Sequence, residues 1–328
     1  MKRILGKSGI EISALGFGCW PIGGLFYLDG KPDGYSGIDD NESIKAIHKA
    51  IDLGVSFFDT ADVYGAGHSE SILGEALKGK RDKVIIATKF GHVFDENTKY
   101  VIDTNATPAY IRKACENSLK RLKIDYIDLY QLHLWSLPLT EARDVFDTLE
   151  QLKREGLIRE YGWSTDNLEC IDFFVNKTAG ISIQNEFNVF INADKILNIC
   201  KKNNIASINR SPLAMGLLSG KYNENSRLPK NDIRGNNFDW NRYFKNGNPT
   251  KIFLDKLQLI REILTSNGRT LAQGALAWIW GKSEKTVPIP GFRTVKQVEE
   301  NSKAMEHGPL AVEQINEIDK ILGDKVII

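Results

Sequence analysis

Four polar side chains that could act together on one carbonyl group lie at or soon after the ends of three apolar stretches of the sequence. Asp59 ends the run VSFF, and Tyr64 comes five residues later within FFDTADVYGAGHSE. Lys89 follows KVIIAT, and His133 follows YIDLYQL. Singly, each has an ordinary alternative, such as a turn cap, a solvated surface chain or a hydrogen-bonded core residue. Their recurrence at the ends of successive apolar runs favours one shared site.

The chemistry available to these groups is proton transfer beside a developing negative charge. A tyrosine titrates near pH ~10, and a neighbouring ammonium lowers that value. A carboxylate would keep the lysine charged, and a histidine could orient a substrate oxygen. Such a set suits the reduction of a carbonyl group, in which an oxygen gains charge and then a proton. None of the four can supply a hydride, so a cofactor must.

The elements that must position these residues alternate along the chain between strand-like and helix-like segments. A short alternating hairpin pattern at 3–13 precedes them. The strand-like runs lie at 15–18, 55–58, 83–88, 126–132, 158–163, 181–184, 206–209 and 286–289. Eight βα units predict an α/β protein of the (β/α)8 TIM-barrel type, one domain over residues 1–328, with its site at the C-terminal ends of the strands.

The alternative fold is an open doubly wound sheet. That fold normally carries a GxGxxG turn between its first strand and first helix. Here Gly16, Gly18, Gly23 and Gly24 do not match that spacing, so the barrel is favoured. The polar stretch 223–250 predicts a long loop at the C-terminal face, of a length that is usually functional or mobile.

Composition restricts the class of partner. The 328 residues contain 43 Lys plus Arg and 42 Asp plus Glu, so no strong field favours nucleic acid or a membrane surface. The apolar runs are too short to span a bilayer, and the start of the chain is too polar for a secretory signal. Four widely spaced cysteines predict free thiols in a reducing compartment, and we expect a cytoplasmic protein. No metal-binding motif is present, so no metal site is predicted.

Two loops of the second half could hold a dinucleotide. SPLAMGLLSGKY follows the seventh strand, and IPGFRTVKQVEEN leads from the eighth strand into a helix. Loops in these places, together with a helix N-terminus, form the usual phosphate site of such barrels. The plain alternative for the second loop is a surface turn capped by Thr294.

The order of these motifs resembles that of the aldo-keto reductases, including their bacterial members, over nearly the whole chain. DTADVYGxGxSE with a later TKFG is the most specific part. The resemblance implies NADPH-dependent, reversible reduction of an aldehyde or ketone, with Asp59, Tyr64, Lys89 and His133 as catalytic residues and Tyr64 as the acid–base. It implies a substrate pocket formed by Trp20, Tyr64, His133 and Trp135. The cofactor positions it implies are Gly18, Cys19, Trp20, Asp59, Ser164, Thr165, Gln184, Arg210, Ser211, Pro212, Leu213, Gly216, Leu218, Gly291, Arg293, Thr294, Gln297, Glu300 and Asn301.

Three of these positions leave alternatives open. Arg293 with Thr294 could bind a ribose 2′-phosphate, which favours NADPH over NADH, but Arg293 could equally stack on adenine. Thr165 stands where the family often has Asn. Arg210 stands where many members place an aromatic residue against the nicotinamide, and we expect its planar guanidinium to stack there. It could instead reach a phosphate or an anionic substrate.

Other functions and roles also remain open at this point. The chain could be a nucleotide-binding redox sensor or partner-binding subunit with slow turnover, or a barrel aldolase using Lys89 as a Schiff base. Aromatic residues on the predicted loops could line the substrate pocket or simply anchor the loops. They are Phe26, Tyr27, Tyr35, Trp240, Tyr243 and Phe244.

Overall fold

Eight parallel strands form one sheet in the computed structural model, which describes residues 1–323 and 326–327. In chain order they are Gly16–Gly18, Phe57–Asp59, Ile85–Phe90, Ile127–Leu132, Ile158–Ser164, Ser182–Glu186, Ala206–Arg210 and Thr286–Pro288. Each is hydrogen-bonded to the next in that order. A parallel bridge between Gly18 and Gly291, and a 3.1 Å bond from the Gly18 N–H to the Pro290 carbonyl, bring the two ends of the sheet together. The predicted (β/α)8 barrel is confirmed, and the open sheet is excluded.

One helix follows each barrel strand and covers the outside of the barrel. These helices are Asp40–Asp52, His68–Ala76, Pro108–Leu122, Leu139–Arg154, Leu168–Lys177, Asp194–Lys202, Leu271–Lys282 and Val295–His307. Lys251–Thr265 precedes the seventh, Val312–Leu322 follows the eighth, and Trp20–Gly23 forms a single turn after the first strand. The predicted apolar stripes face inward, for example Ile111, Cys115 and Leu122 of the third helix. No helix within the described residues has both the length and the apolar character that a bilayer crossing requires.

The inside of the barrel is filled by strand side chains and closed at one end by the N-terminal hairpin. Phe57, Leu129 and Val287 belong to this interior cluster. The predicted hairpin forms from Lys2–Ile4 and Glu11–Ser13, and the hairpin residues Leu5, Ile10 and Ile12 join the same cluster. Gly6 of the hairpin lies against the Ile181 carbonyl at the start of the sixth strand. Because the hairpin closes the N-terminal end, the C-terminal ends of the strands are left for a site.

The loops at that C-terminal face carry their own secondary structure. Three hairpins are Leu25–Leu28 with Lys31–Gly34, His92–Phe94 with Val101–Thr104, and Phe244–Lys245 with Asn248–Pro249. Helical 3-10 turns lie at Ala214–Ser219 and Ile233–Gly235, and others lie elsewhere at Arg81–Lys83 and Ser266–Gly268. Ile191–Asn192 pairs with Val326–Ile327. The stretch 223–250 is therefore a long loop as predicted, but a structured one.

The loop aromatics divide between the two roles that the sequence left open. Tyr243 and Phe244 are buried, and the Tyr243 hydroxyl donates to Glu186 Oε1 at 2.5 Å, so these two anchor the long loop. Tyr27 stacks on Tyr100 with ring centroids 4.6 Å apart. Phe26, Tyr35 and Trp240 line the cavity described below. All four cysteines are buried and unpaired, as expected.

Candidate active site

The four polar residues singled out by the sequence meet at the C-terminal end of the barrel. Asp59 ends the second strand and Lys89 lies in the third, and their exposed fractions are 2% and 0%. Lys89 Nζ donates to Asp59 Oδ1 at 2.5 Å and to the Thr60 carbonyl at 2.8 Å. Its third contact is the Tyr64 hydroxyl at 3.3 Å. A continuous chain of contacts thus runs from a carboxylate through an ammonium to a phenol.

The second oxygen of Asp59 is held by two amides from inside the barrel. Gln131 Nε2 donates to Oδ2 at 3.0 Å and Gln184 Nε2 at 2.8 Å. Donors thus satisfy both oxygens of the Asp59 carboxyl group. Gln131 comes from the fourth strand and was not predicted as part of the site. Gln184, predicted as a cofactor contact, uses its Nε2 here and keeps its Oε1 as an acceptor at the cavity wall.

The turn after the second strand fixes Tyr64. Gly65 has a φ of +63°, and a Cβ added there would lie 1.8 Å from the Gly23 carbonyl oxygen. Only glycine allows that approach, which brings the turn against Trp20–Gly23. Tyr64 then stacks beside Trp20 with ring centroids 6.1 Å apart. The sequence motif therefore requires glycine at position 65 for a steric reason.

The charges set the protonation states of the site. Burial raises the pKa of Tyr64, and the Lys89 ammonium opposes that rise without cancelling it. The expected lowering of the Tyr64 pKa is therefore wrong in net direction, because desolvation of the phenolate outweighs the ammonium. Burial alone would lower the pKa of Lys89, but Asp59 and Tyr64 together raise it. At neutral pH the site holds a phenol, an ammonium and a carboxylate.

His133 completes the group as a neutral imidazole. Burial lowers its pKa well below the ordinary value, and the positive charge of Lys89 adds to that shift. Its ring lies perpendicular to that of Tyr64, with centroids 5.7 Å apart, and at 5.3 Å from the ring of His92. Its buried Nδ1 has no hydrogen-bond partner. A neutral ring beside the phenol can hydrogen-bond an oxygen placed between them without adding a charge.

A cavity of about 1120 Å³ opens over these residues. It is large enough for a dinucleotide and a small substrate together. The predicted site residues that line it are Gly18, Trp20, Asp59, Tyr64, His133, Trp135, Ser164, Gln184, Arg210, Ser211, Pro212, Leu213, Gly216, Gly291, Arg293, Thr294 and Gln297. Trp135 is 61% exposed at its mouth.

Six predicted residues do not line the cavity. Lys89 lies behind Tyr64. The Thr165 hydroxyl donates to the Trp135 carbonyl and accepts from the Asn167 N–H, so it is used within its own loop. Cys19 and Leu218 are fully buried, Asn301 is also buried, and Glu300 lies on the helix behind the wall. These positions support the wall rather than form its surface.

Arg210 lies on the wall in an ion pair that the sequence did not indicate. Its guanidinium donates to Asp166 Oδ2, and Asp166 Oδ1 accepts from the Glu186 N–H at 2.7 Å. Burial alone would lower the pKa of Arg210, but the charges of Asp166 and Glu186 raise it. The guanidinium is therefore fixed in the wall, with its charge balanced from behind.

The far end of the cavity has the features of a phosphate site. Thr294 Oγ1 accepts from the Gln297 N–H at 3.3 Å and caps the helix Val295–His307. The guanidinium of Arg293 is already hydrogen-bonded within the protein, because it donates to the Ser36 and Gly37 carbonyls. Lys221 also lines the cavity, and it was not predicted. Two cations and a helix N-terminus suit an anionic ligand.

Comparisons with known proteins agree with this geometry. The sequence model of the aldo/keto reductase family matches residues 14–323. The aldo-keto reductase YhdN of Bacillus subtilis is 34% identical over 300 residues, which are 90% of this chain and 86% of that protein. Aldo-keto reductase yakc (NADP+) of Schizosaccharomyces pombe is 31% identical over 308 residues, covering 90% and 84%.

Solved structures give the same result. The holo form of aldo-keto reductase AKR11C1 from Bacillus halodurans superposes with a TM-score of 0.78 at 28% identity, over 99% of this chain and 97% of that one. The glycerol dehydrogenase AKR11B4 from Gluconobacter oxydans gives 0.82 at 31% identity, over 98% and 94%.

The buried Lys89–Asp59 pair predicts a specific pattern of stability changes. Asp59→Asn or Lys89→Met alone leaves an uncompensated buried charge, so each should lower the free energy of unfolding by about 3–5 kcal/mol. The double variant should lose much less than the sum, because no lone charge remains. Denaturant unfolding of the four proteins measures this. Glu11→Gln, which breaks the exposed Lys2–Glu11 pair, is the control and should change stability little. Additive losses in the double variant would contradict the prediction.

Proposed function

Because the chain belongs to the aldo/keto reductase family, whose members are NAD(P)H-dependent oxidoreductases, we propose that it reduces an aldehyde or ketone to an alcohol with a hydride from NADPH and a proton from Tyr64. The reaction is reversible. The observation that carries the proposal is the chain of contacts from Asp59 through the buried Lys89 to the Tyr64 hydroxyl, at 2.5 and 3.3 Å, with Asp59 and Tyr64 on the wall of one cavity.

Each residue has a role that follows from its protonation state. Tyr64 is a phenol at neutral pH and gives its proton to the substrate oxygen as that oxygen becomes negative. Lys89 lies 3.3 Å away and stabilises the phenolate that remains. Asp59 holds Lys89 charged, and neutral His133 hydrogen-bonds the substrate oxygen opposite Tyr64. In the oxidation of an alcohol, the same groups act in reverse.

The cavity fits a dinucleotide by the chemistry of its two ends. Near Tyr64, Gln184 Oε1 and Ser164 offer polar atoms for a carboxamide. At the other end, Arg293, Lys221 and the N-terminus of Val295–His307 suit phosphates, and a second cation there favours NADPH over NADH. The bound nicotinamide would supply the hydride. Trp20 and His133 would hold the substrate carbonyl beside it and exclude water.

A steady-state screen tests the function against its rivals. Aldehydes and ketones offered with NADPH or NADH should be reduced over many turnovers per chain, faster with NADPH. One slow turnover, or none, would favour a redox sensor. The aldolase alternative requires a neutral amine at Lys89, whereas this lysine is buried against Asp59 with a raised pKa. Borohydride trapping of Lys89 with substrate would support the aldolase alternative.

Tyr64→Phe should still bind NADPH but lose reduction by about 10²–10⁴-fold, because the general acid is gone. Tyr27→Phe, on a stacked loop pair that does not line the cavity, is the matched control and should keep normal turnover. Fluorescence titration measures binding, and NADPH consumption measures rate. Near-normal turnover of Tyr64→Phe would remove this residue from its proposed role.

The pH dependence should follow from the same residue. Reduction needs the protonated phenol, and burial raises the Tyr64 pKa above its ordinary value of about 10. The kcat/KM for reduction should therefore stay level through neutral pH and fall only as pH rises through that raised pKa. Oxidation of the alcohol needs the phenolate and should rise over the same range.

We further propose that Arg210 stacks on the nicotinamide ring while Asp166 holds it in place. Arg210→Ala should then weaken NADPH binding about tenfold, a loss of ~1.4 kcal/mol. Arg159→Ala removes a guanidinium that pairs with Asp128 and does not line the cavity, so it serves as the control. Unchanged NADPH affinity in Arg210→Ala would rule out stacking.

A further inference from the structure

One buried acid at the cavity has no part in the proposed reaction. Asp33 lies on the hairpin strand Lys31–Gly34, is only 5% exposed, and lines the same cavity as Tyr64. Its Oδ1 is buried and has no hydrogen-bond partner. Leaving such a buried oxygen without a hydrogen bond is unfavourable, so the group is placed to accept one from a ligand.

An unsatisfied donor lies beside this acceptor. The buried indole Nε1 of Trp20 also has no partner, although it approaches the Asp33 carboxyl closely enough to affect its pKa. The Trp20 ring lies 6.1 Å from the ring of Tyr64 and 5.4 Å from that of Tyr35. A free acceptor and a free donor therefore lie together in the substrate side of the cavity, next to the catalytic hydroxyl.

The backbone holds the carboxyl in a fixed place. Gly34 has a φ of +95°, and a Cβ there would lie 2.3 Å from the Gly24 carbonyl oxygen, so the hairpin packs tightly on the turn after the first strand. On its other side, Asn236 Nδ2 donates to the Pro32 carbonyl at 2.9 Å. These contacts fix the backbone on both sides of Asp33, and its carboxyl is itself buried, so the position of the carboxyl can discriminate between ligands.

We propose that Asp33 and Trp20 form a hydroxyl-recognition site, so that the preferred substrates are aldehydes or ketones carrying a hydroxyl group near the carbonyl. The carboxyl of Asp33 accepts from that hydroxyl, and the indole N–H donates to its oxygen. This inference rests on the proposed carbonyl reduction and names the substrate class of that same site.

The donor and acceptor capacities single out a hydroxyl. A hydroxyl group both donates and accepts, so one group satisfies both protein atoms. An ammonium can only donate and would leave the indole N–H unpaired. An apolar substituent would leave both unpaired and lose the interaction entirely.

The charges around Asp33 allow a second readout. Burial raises the pKa of Asp33 to about 7, while the Gly34 N–H and Trp20 oppose the rise. The ionisable groups that interact with it are Tyr64 from the second loop and Tyr35 beyond the hairpin. The guanidinium of Arg234, which is paired with Asp232, lies 5.0 Å above the Tyr35 ring. Above pH 7 the ionised carboxyl accepts a hydroxyl proton more strongly.

Glyceraldehyde and propanal, which share a three-carbon chain and differ in hydroxyl groups, test the proposal with NADPH. With concentrations expressed as free aldehyde, the wild type should favour glyceraldehyde in kcat/KM, and the ratio should rise as pH increases through about 7. Titration of Tyr64 affects both aldehydes and cancels in the ratio. Asp33→Ala should lower the ratio about 10–100-fold. Asp33→Asn keeps an acceptor oxygen, so it should lose less and show no pH dependence of the ratio.

Asp29→Asn is the matched control, because it removes an exposed carboxylate from the same hairpin turn and should leave the ratio unchanged. An unchanged ratio in Asp33→Ala, with propanal still reduced, would overturn hydroxyl recognition and leave carbonyl reduction standing. A higher rate with an amino-aldehyde than with glyceraldehyde would also overturn it in favour of a cation site. Failure of the wild type to reduce either aldehyde would overturn both the recognition site and the proposed function.

Discussion

The buried ion pair between Lys89 and Asp59 is the interaction on which the site depends. Removing two charges from water costs several kcal/mol per ion, and their attraction offsets this only when the remaining bonding capacity is also satisfied. Here the carboxylate takes donors from Lys89, Gln131 and Gln184. Those residues come from the third, fourth and sixth strands, while Asp59 comes from the second. The pair is stable only when the barrel brings four separate strands to the same place, so the fold and the reactive centre form together.

This arrangement explains why Tyr64 is a phenol rather than a phenolate at neutral pH. Desolvation resists the phenolate, so Tyr64 is protonated at neutral pH, while Lys89 reduces the cost of releasing its proton. In the proposed reaction the ammonium would act mainly after the proton has left, when the negative charge lies 3.3 Å from it. An interaction that strengthens as charge develops favours the transition state over the ground state. The low pKa of His133 fits the same proposal, since a charged imidazole would compete with Tyr64 as the proposed proton donor.

The sequence predicted those parts of the molecule that follow from local pattern. Each barrel strand is an apolar run, and Asp59, Lys89 and His133 stand at the ends of such runs, so their convergence followed from the barrel itself. Gln131 could have been found by the same reasoning, because it is a polar residue inside the buried run YIDLYQL. Asp33 and Asp166 could not, since they lie in loops whose path depends on tertiary packing. The net pKa of Tyr64 was also out of reach, because it depends on the depth of burial.

Two contacts at the far end show how the two ends of the cavity are joined. Arg293, for which the sequence left open a phosphate contact or stacking on adenine, donates from its guanidinium to the carbonyls of Ser36 and Gly37. The Val295 N–H, the first of its helix, donates to Glu42 Oε1 at 2.9 Å. Ser36 and Gly37 directly follow the hairpin that carries Asp33. One segment after the first strand therefore lines the cavity near Tyr64 and also contacts Arg293 at the far end of the cavity.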